Sequence, residues 1–326
     1  MREPDLAQEM ERQYSTQSLQ EIILVRPRGF CAGVERAITI VEEALRKFGG
    51  PIYVKHAIVH NRQVVERLET LGAVFVENLD DVPRGARVIF SAHGVSPDVR
   101  QQAMQRGLDV VDATCPLVTK VHVEARRFAK EDRTIFLIGH DDHVEVIGTR
   151  GEAPGHIVVI ETVEAAERVE VSNADRVAYL TQTTLSIDDT RAIVEVLQRR
   201  FPAVKGPGKD DICYATQNRQ NAVQALTDHA DVILVVGSSD SSNSKRLVQV
   251  AQARGIPAYL LESHHELNDG WLAGARRIGV TAGASAPEEV VQNLVAHLSR
   301  QSHVSVREIE VIEENVSFPL PGVLSG

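Results

Sequence analysis

Residues 109–132, DVVDATCPLVTKVHVEARRFAKED, decide how this chain reads. Asp109-Val-Val-Asp112 has the pattern of a short strand, and Cys115 ends it. Pro116 then stands where a helix tolerates proline best, at its first position. The same passage from strand through cysteine into helix occurs twice more. Glu21–Arg26 leads through Cys31 into AGVERAITIVEEALRKFGG (32–50), where Val34, Ala37, Ile38, Val41 and Leu45 recur at helical spacing. Lys209-Asp-Asp-Ile-Cys213 leads into YATQNRQNAVQALTDHA (214–230), which carries Ala222, Val223 and Leu226 on one face.

Each third continues alike. A second strand follows each time, in PIYVKHAIVH (51–60), RTIFLIGHDDH (133–143) and DVILVVGSSDS (231–241). His60, His143 and Ser241 trail their cysteines by 29, 28 and 28 residues. The last strand of each third runs into a small, hydroxyl-bearing turn before another helix: RVIFSAHGVSPDV (87–99, with His93), VAYLTQTTLSIDDT (177–190, with Thr183 and Thr184) and RIGVTAGASAPEEV (277–290, with Ser285). Strands alternating with helices imply parallel sheets joined by crossover helices. The spacing predicts three homologous α/β domains, 21–114, 115–212 and 213–300, between an N-terminal extension (1–20) and a C-terminal tail (301–326). Packed about a pseudo-threefold axis, they would bring one cysteine each to a common centre. Strand-end loops would surround it, as they do ligands in open α/β sheets.

Composition excludes several classes. The 326 residues carry a formal charge of −10 with no basic block, which argues against a nucleic-acid or anionic-membrane partner. No apolar run approaches the roughly 18 residues of a membrane span. The opening segment lacks signal or transit character, so a cytoplasmic protein is expected. Three cysteines without a CxxC cannot build a disulfide framework, a zinc ribbon or a bacterial-ferredoxin run.

Three thiolates brought together need a soft partner, and zinc, Cu(I) and an iron–sulfur cluster all qualify. Zinc would add a histidine. A cubane of four irons on three cysteines would leave one iron open. Spacing alone does not choose between them. The polar lining is His60, His93, His143, Thr183, Thr184, Ser241, Ser242, Asn243 and Ser285. Beside helix N-termini these groups suit an anion such as diphosphate, and no P-loop is present. His56, His122 and His140 have no counterparts in the other thirds and are read as structural. The stretch 237–244, GSSDSSNS, reads as a binding loop between strand and helix. Glu145, two residues beyond His143 in a segment read as strand-like, shares its face. In a partly dry, thiolate-rich pocket its pKa would rise and make it a proton donor.

Taken together, Arg26-Pro-Arg-Gly-Phe-Cys-Ala-Gly-Val34, Val59-His-Asn-Arg62, Ser91-Ala-His-Gly-Val95, Asp112-Ala-Thr-Cys-Pro-Leu-Val-Thr-Lys-Val121, Thr181-Gln-Thr-Thr184, Asp210-Asp-Ile-Cys-Tyr-Ala-Thr216, Ser241-Ser-Asn-Ser244 and Thr281-Ala-Gly-Ala-Ser-Ala-Pro287 closely resemble the 4-hydroxy-3-methylbut-2-enyl diphosphate reductases. The resemblance spans about residues 21–300, with every motif in order. It implies three α/β domains in a trefoil-like arrangement around a central [4Fe–4S] cluster, held by Cys31, Cys115 and Cys213, with [3Fe–4S] expected after loss of the open iron. It further implies that His60, His93, His143, Ser241, Ser242, Asn243 and Ser285 hold the substrate's diphosphate and that Thr184 contacts substrate. Glu145, relayed through Thr183, would protonate the leaving hydroxyl. Two electrons and two protons would yield isopentenyl and dimethylallyl diphosphates, closing the methylerythritol phosphate route to isoprenoids. The implied donor is a ferredoxin or flavodoxin. The chain departs from the family where His143-Val-Glu-Val146 replaces a frequent His-Pro-Glu-Val and where Ile147 replaces a common acidic residue, which implies altered loop stiffness with the reaction kept. Two other readings of the residues are a zinc hydrolase of phosphate esters built on three cysteines and a histidine, and a non-catalytic iron–sulfur sensor. The tail is expected to dock rather than hang free.

Overall fold

The computed structural model describes residues 19–301 and 304–324. The expected N-terminal extension therefore lies almost wholly outside the described residues. In chain order the elements are β1 (Glu21–Arg26), α1 (Ala32–Phe48), β2 (Ile52–Lys55), α2 (Arg62–Thr70), β3 (Ala73–Val76), β4 (Arg87–Phe90), α3 (Pro97–Gln105) and β5 (Asp109–Asp112). Then come α4 (Pro116–Lys130), β6 (Thr134–Ile138), α5 (Val144–Glu152), β7 (Ile157–Ile160), α6 (Val163–Arg168), β8 (Val177–Thr181) and α7 (Ile187–Arg200). The chain ends with α8 (Tyr214–Thr227), β9 (Val232–Val236), α9 (Ser242–Ala253), β10 (Ala258–Leu261), β11 (Arg277–Ala282), α10 (Glu288–Leu298) and β12 (Ser305–Glu310).

The fold is α/β, and every strand pair is parallel. The chain divides into two compact units. The first comprises the residues up to Phe30 with Asn218–Glu314. It holds a five-stranded sheet in the order β10-β9-β11-β1-β12. All five residues of β9 are buried, the continuous apolar run of a strand covered on both faces. One face packs Ile22, Leu24 and Leu234 against Val291 and Leu294 of α10. The other packs Ile23, Val25 and Val235 against Val223 and Leu226 of α8 and Leu247 of α9. Burying such a side chain fully contributes about 1.5–3 kcal/mol.

The second unit comprises Cys31–Gln217 with the residues from Asn315 on. It holds a four-stranded sheet, β3-β2-β4-β5, and a three-stranded sheet, β7-β6-β8. Each has its own core, one around Val88, Phe90 and Val95, the other around Phe136, Ile138, Ile193 and Leu197 on one face and Ile135, Leu137 and Phe128 on the other.

Three local expectations are corrected. The strand after Cys31 stops at Lys55, because His56 takes a left-handed conformation (φ 62°). His60 therefore lies in a loop, just before Asn61 caps α2. His143-Val144-Glu145 is not strand-like: the His143 ring accepts the Glu145 N–H at 3.1 Å and begins α5. Lastly, β1 does not join the sheet of the segment after it. It pairs with β11 on one side and β12 on the other, so residues 305–310 of the tail are tied into the first unit's sheet.

Candidate active site

Each cysteine stands at the start of a helix. Cys31 and Cys115 occupy the N-cap positions of α1 and α4, and Cys213 immediately precedes α8. Free N–H groups and the helix dipole there favour a thiolate. Burial opposes it. The Cys115 thiol is pushed up to about 12, first by burial, with the charges of Cys31 and Cys213 adding to the rise and the Leu117 and Val118 N–H groups opposing it. Cys213 is pushed up to about 11 by burial and by Cys31, against the Thr216 hydroxyl and N–H at 3.2 and 3.3 Å from its sulfur. All three thiols belong to the second unit.

Gly33 explains how two of them come close. A Cβ placed there would lie 2.8 Å from the Cys115 sulfur and 3.9 Å from the Cys31 sulfur. Its φ is ordinary, so glycine is needed for the space alone. The backbone secures Cys115 and Cys213 by one repeated device. The Cys115 N–H donates to the Ala92 carbonyl at 2.9 Å, and the Cys213 N–H donates to the Thr183 carbonyl at 3.1 Å. In each case the loop after one last strand grips the next cysteine.

Three histidines gather in the same unit. The rings of His60 and His93 lie 4.2 Å apart, His60 and His143 5.4 Å, and His93 and His143 6.1 Å. His93 is held well below the ordinary imidazole range, mainly by burial and then by the other two rings. Because Nδ1 of His143 accepts the Glu145 N–H, its neutral ring carries the proton on Nε2. Such a trio offers ring N–H donors to an anion.

Glu145, in the first turn of α5, is 3% exposed. Its two oxygens accept the Thr183 N–H at 2.7 Å and the Thr183 hydroxyl at 2.9 Å. Burial raises its pKa to about 7 despite both bonds, and Asp211 adds to the rise. Thr183 thus bonds Glu145 on one side and the Cys213 backbone on the other. Its neighbour Thr184 accepts from the buried Gln182 amide at 2.9 Å.

The remaining expected residues are in the first unit. The Ser241 hydroxyl caps α9 by accepting the Ser244 N–H, and Ser242 is the helix's first residue. Asn243 is 4% exposed, and among the described residues neither its amide nitrogen nor its oxygen has a partner. Leaving such a group unpaired costs about 1–3 kcal/mol. The hydroxyls of Ser244 and Thr281 are orphaned and buried alongside. Ser285 is buried on the turn after β11.

Some contributors escaped the sequence reading. Asp211, Lys120 and Gln182 support Thr181–Thr184, and Thr216 faces a sulfur. All four lie inside motifs quoted above, but nothing in the sequence singled them out from their neighbours. Gly237 and Gly283 leave space that the Ser244 side chain uses, since a Cβ on either would lie within 2.3 Å of its oxygen. His122 is buried against Glu152 at 3.1 Å, beneath Gly94.

Comparison with known proteins places this geometry among relatives. The family described as LytB protein matches residues 22–299. A protein of Azoarcus sp. (strain BH72) named 4-hydroxy-3-methylbut-2-enyl diphosphate reductase is 57% identical over 301 residues, 92% of this chain and 96% of that protein. One of the same name from Ralstonia nicotianae is 55% identical, covering 92% and 93%. The solved structure of the E-1-hydroxy-2-methyl-but-2-enyl-4-diphosphate reductase from Plasmodium falciparum matches with a TM-score of 0.91 at 44% identity, over 94% of this chain and 97% of that one. Among the described residues no helix is long and apolar enough to cross a membrane.

Proposed function

This chain belongs to the LytB protein family, and from that premise we propose that it is a 4-hydroxy-3-methylbut-2-enyl diphosphate reductase, an iron–sulfur oxidoreductase of the non-mevalonate isoprenoid route. It removes the substrate's 4-hydroxyl reductively and releases isopentenyl and dimethylallyl diphosphates. The observation that carries the reading is the buried Glu145–Thr183 pair, poised near neutrality and bonded through Thr183 to the Cys213 backbone.

The donor set fits an iron–sulfur cluster. The thiols of Cys115 and Cys213, raised far above neutrality by burial and by the charge of a neighbouring cysteine, ionise readily beside metal charge. One thiolate for each of several irons suits three cysteines that all belong to the second unit. We assign Cys31, Cys115 and Cys213 to a [4Fe–4S] cluster, which when bound supplies electrons singly and an iron open to the substrate's hydroxyl.

The chain's own groups do the rest. The Nε2–H of His143, with His60 and His93, meets the diphosphate. Ser241, Ser242, Asn243 and Ser285 are assigned to it as well, and the orphaned Asn243 amide is the strongest sign of a missing anionic partner. Thr184 contacts substrate. Glu145 holds a proton at neutral pH and passes it by way of the Thr183 hydroxyl to the departing oxygen. The C4–O bond breaks, water leaves, and two electrons with a second proton complete either product. The electrons come from a ferredoxin or flavodoxin. A cytoplasmic setting keeps the three thiols reduced.

Anaerobic purification with iron, sulfide and zinc analysis and an optical spectrum tests the assignment. A brown protein with about four irons and four sulfides per chain, lost in Cys31→Ala, Cys115→Ala and Cys213→Ala alike, is expected. A colourless protein holding one zinc and no sulfide would overturn it.

A further inference from the structure

One buried ion pair in the second unit has no part in the chemistry above. The Asp211 side chain is fully shielded from solvent, and both its oxygens are used. Oδ1 takes the Lys120 ammonium at 2.9 Å, and Oδ2 takes the Thr181 N–H at 3.1 Å. Lys120 grips the same segment further, donating to the carbonyls of Asp210 at 2.9 Å and Lys209. A carboxylate buried this way is costly unless each lone pair is answered, and here each oxygen is.

What the pair connects gives it meaning. Lys120 lies on α4, five residues beyond Cys115 at its N-cap. Asp211 lies two residues before Cys213. Thr181 ends β8, two residues before Thr183, which holds Glu145 by two bonds and the Cys213 N–H by its carbonyl. The links close a ring of Asp211, Thr181, Thr183, Cys213 and back along the chain to Asp211, and Lys120 ties that ring to α4. A shift of the 209–213 segment would therefore move Cys213 and the hydroxyl partner of Glu145 together.

We propose that Lys120 and Asp211 form a positioning clasp that holds the Cys213 segment and the Thr183–Glu145 pair in one register with the Cys115 helix. The clasp touches no substrate. It acts through Thr181 and the 209–213 backbone, and the inference rests on the functional reading of the cysteines and Glu145 given above. Shape at the diphosphate-binding histidines lies outside the ring, so substrate affinity should be spared while turnover suffers.

The test compares wild type, Asp211→Ala, Asp211→Asn, Lys120→Met and the double variant Lys120→Met/Asp211→Ala, all loaded with iron and sulfide anaerobically and checked for native circular dichroism. Asp211→Asn keeps an acceptor for the Thr181 N–H without the buried charge, and the double variant leaves neither charge unpaired, so these two keep the test open where a single variant that strands a charge fails to fold. Two readouts are taken: kcat and KM with the allylic diphosphate and a one-electron donor, and the rate at which a chelator strips the iron. Expected are a loss in kcat of about tenfold or more in Asp211→Ala and Lys120→Met, KM within about twofold, and iron release at least about fivefold faster. Asp211→Asn should recover several-fold over Asp211→Ala, and the double variant should be no worse than the worse single, because the two residues act as one unit. Wild-type kcat and iron release in Asp211→Ala would overturn the proposal, as would a double variant whose loss equals the product of the singles. A wild-type chain that loads no iron, or loads it without turnover, would instead overturn the functional reading and the clasp with it.

Discussion

At the scale of single residues, Glu145 and Gly33 carry the most weight. An ordinary glutamate keeps roughly one part in five hundred of its proton at pH 7, whereas Glu145, raised to about 7 by burial, keeps half. Glu145→Gln should cost kcat about a hundredfold or more, with KM little changed. Wild-type kcat should fall as pH rises through about 7, a limb absent from the variant's residual rate. Stability has a matching sign. The folded-state pKa lies above the unfolded one, so the native state binds the extra proton between the two values, and Glu145 costs stability increasingly as pH climbs from about 4.5 to about 7. Glu145→Gln should thus melt higher than wild type near pH 8, with the gain vanishing toward pH 4. Gly33→Ala makes a different mark. Its methyl would press on the Cys115 sulfur, so helicity should persist while loaded iron per chain drops steeply, measured by metal analysis beside circular dichroism.

At the scale of elements, helix starts are where the chemistry sits, and their caps set what each is worth. Asn61 caps α2 by accepting the Val64 N–H at 3.1 Å, directly after His60. Asn61→Ala should cost about 1 kcal/mol in urea unfolding and lower affinity for the diphosphate substrate through His60. The strand–cysteine–helix passages were legible because apolar period, Pro116 and the even offsets are all local signals. The start of α5 was not. Val144, Val146 and Ile147 are β-branched and read as strand, while the cap is a histidine ring nitrogen, a residue type outside the usual capping set. The partners of β1 were illegible too, since they lie at residues 277–280 and 305–310 and no local pattern encodes pairing at that distance. The candidate site was legible as residue types at matching offsets from the three cysteines. Its supports were not: Gly33 hides inside a helix, and Asp211 and Lys120 reveal their roles only when 90 residues of intervening chain bring them together.

At the scale of the whole molecule, the tail is part of the structure that supports the first unit. Besides β12, Glu314 meets the fully buried Arg219 guanidinium at 3.1 Å, and Arg219 in turn holds the carbonyls of Gly29 and Phe30, next to Cys31. Removing one partner of a buried pair strands the other charge, so Glu314→Ala should lose about 3 kcal/mol, read by denaturant unfolding, far more than a surface pair would. Reductase activity, however, belongs to the whole chain. Its most direct test is to give the anaerobically loaded protein 4-hydroxy-3-methylbut-2-enyl diphosphate with a one-electron donor and to follow products by NMR. Isopentenyl and dimethylallyl diphosphates should both appear, and neither should form with Cys115→Ala. Recovery of unchanged substrate from a fully loaded wild-type protein, or release of inorganic phosphate in place of dehydroxylation, would contradict the account.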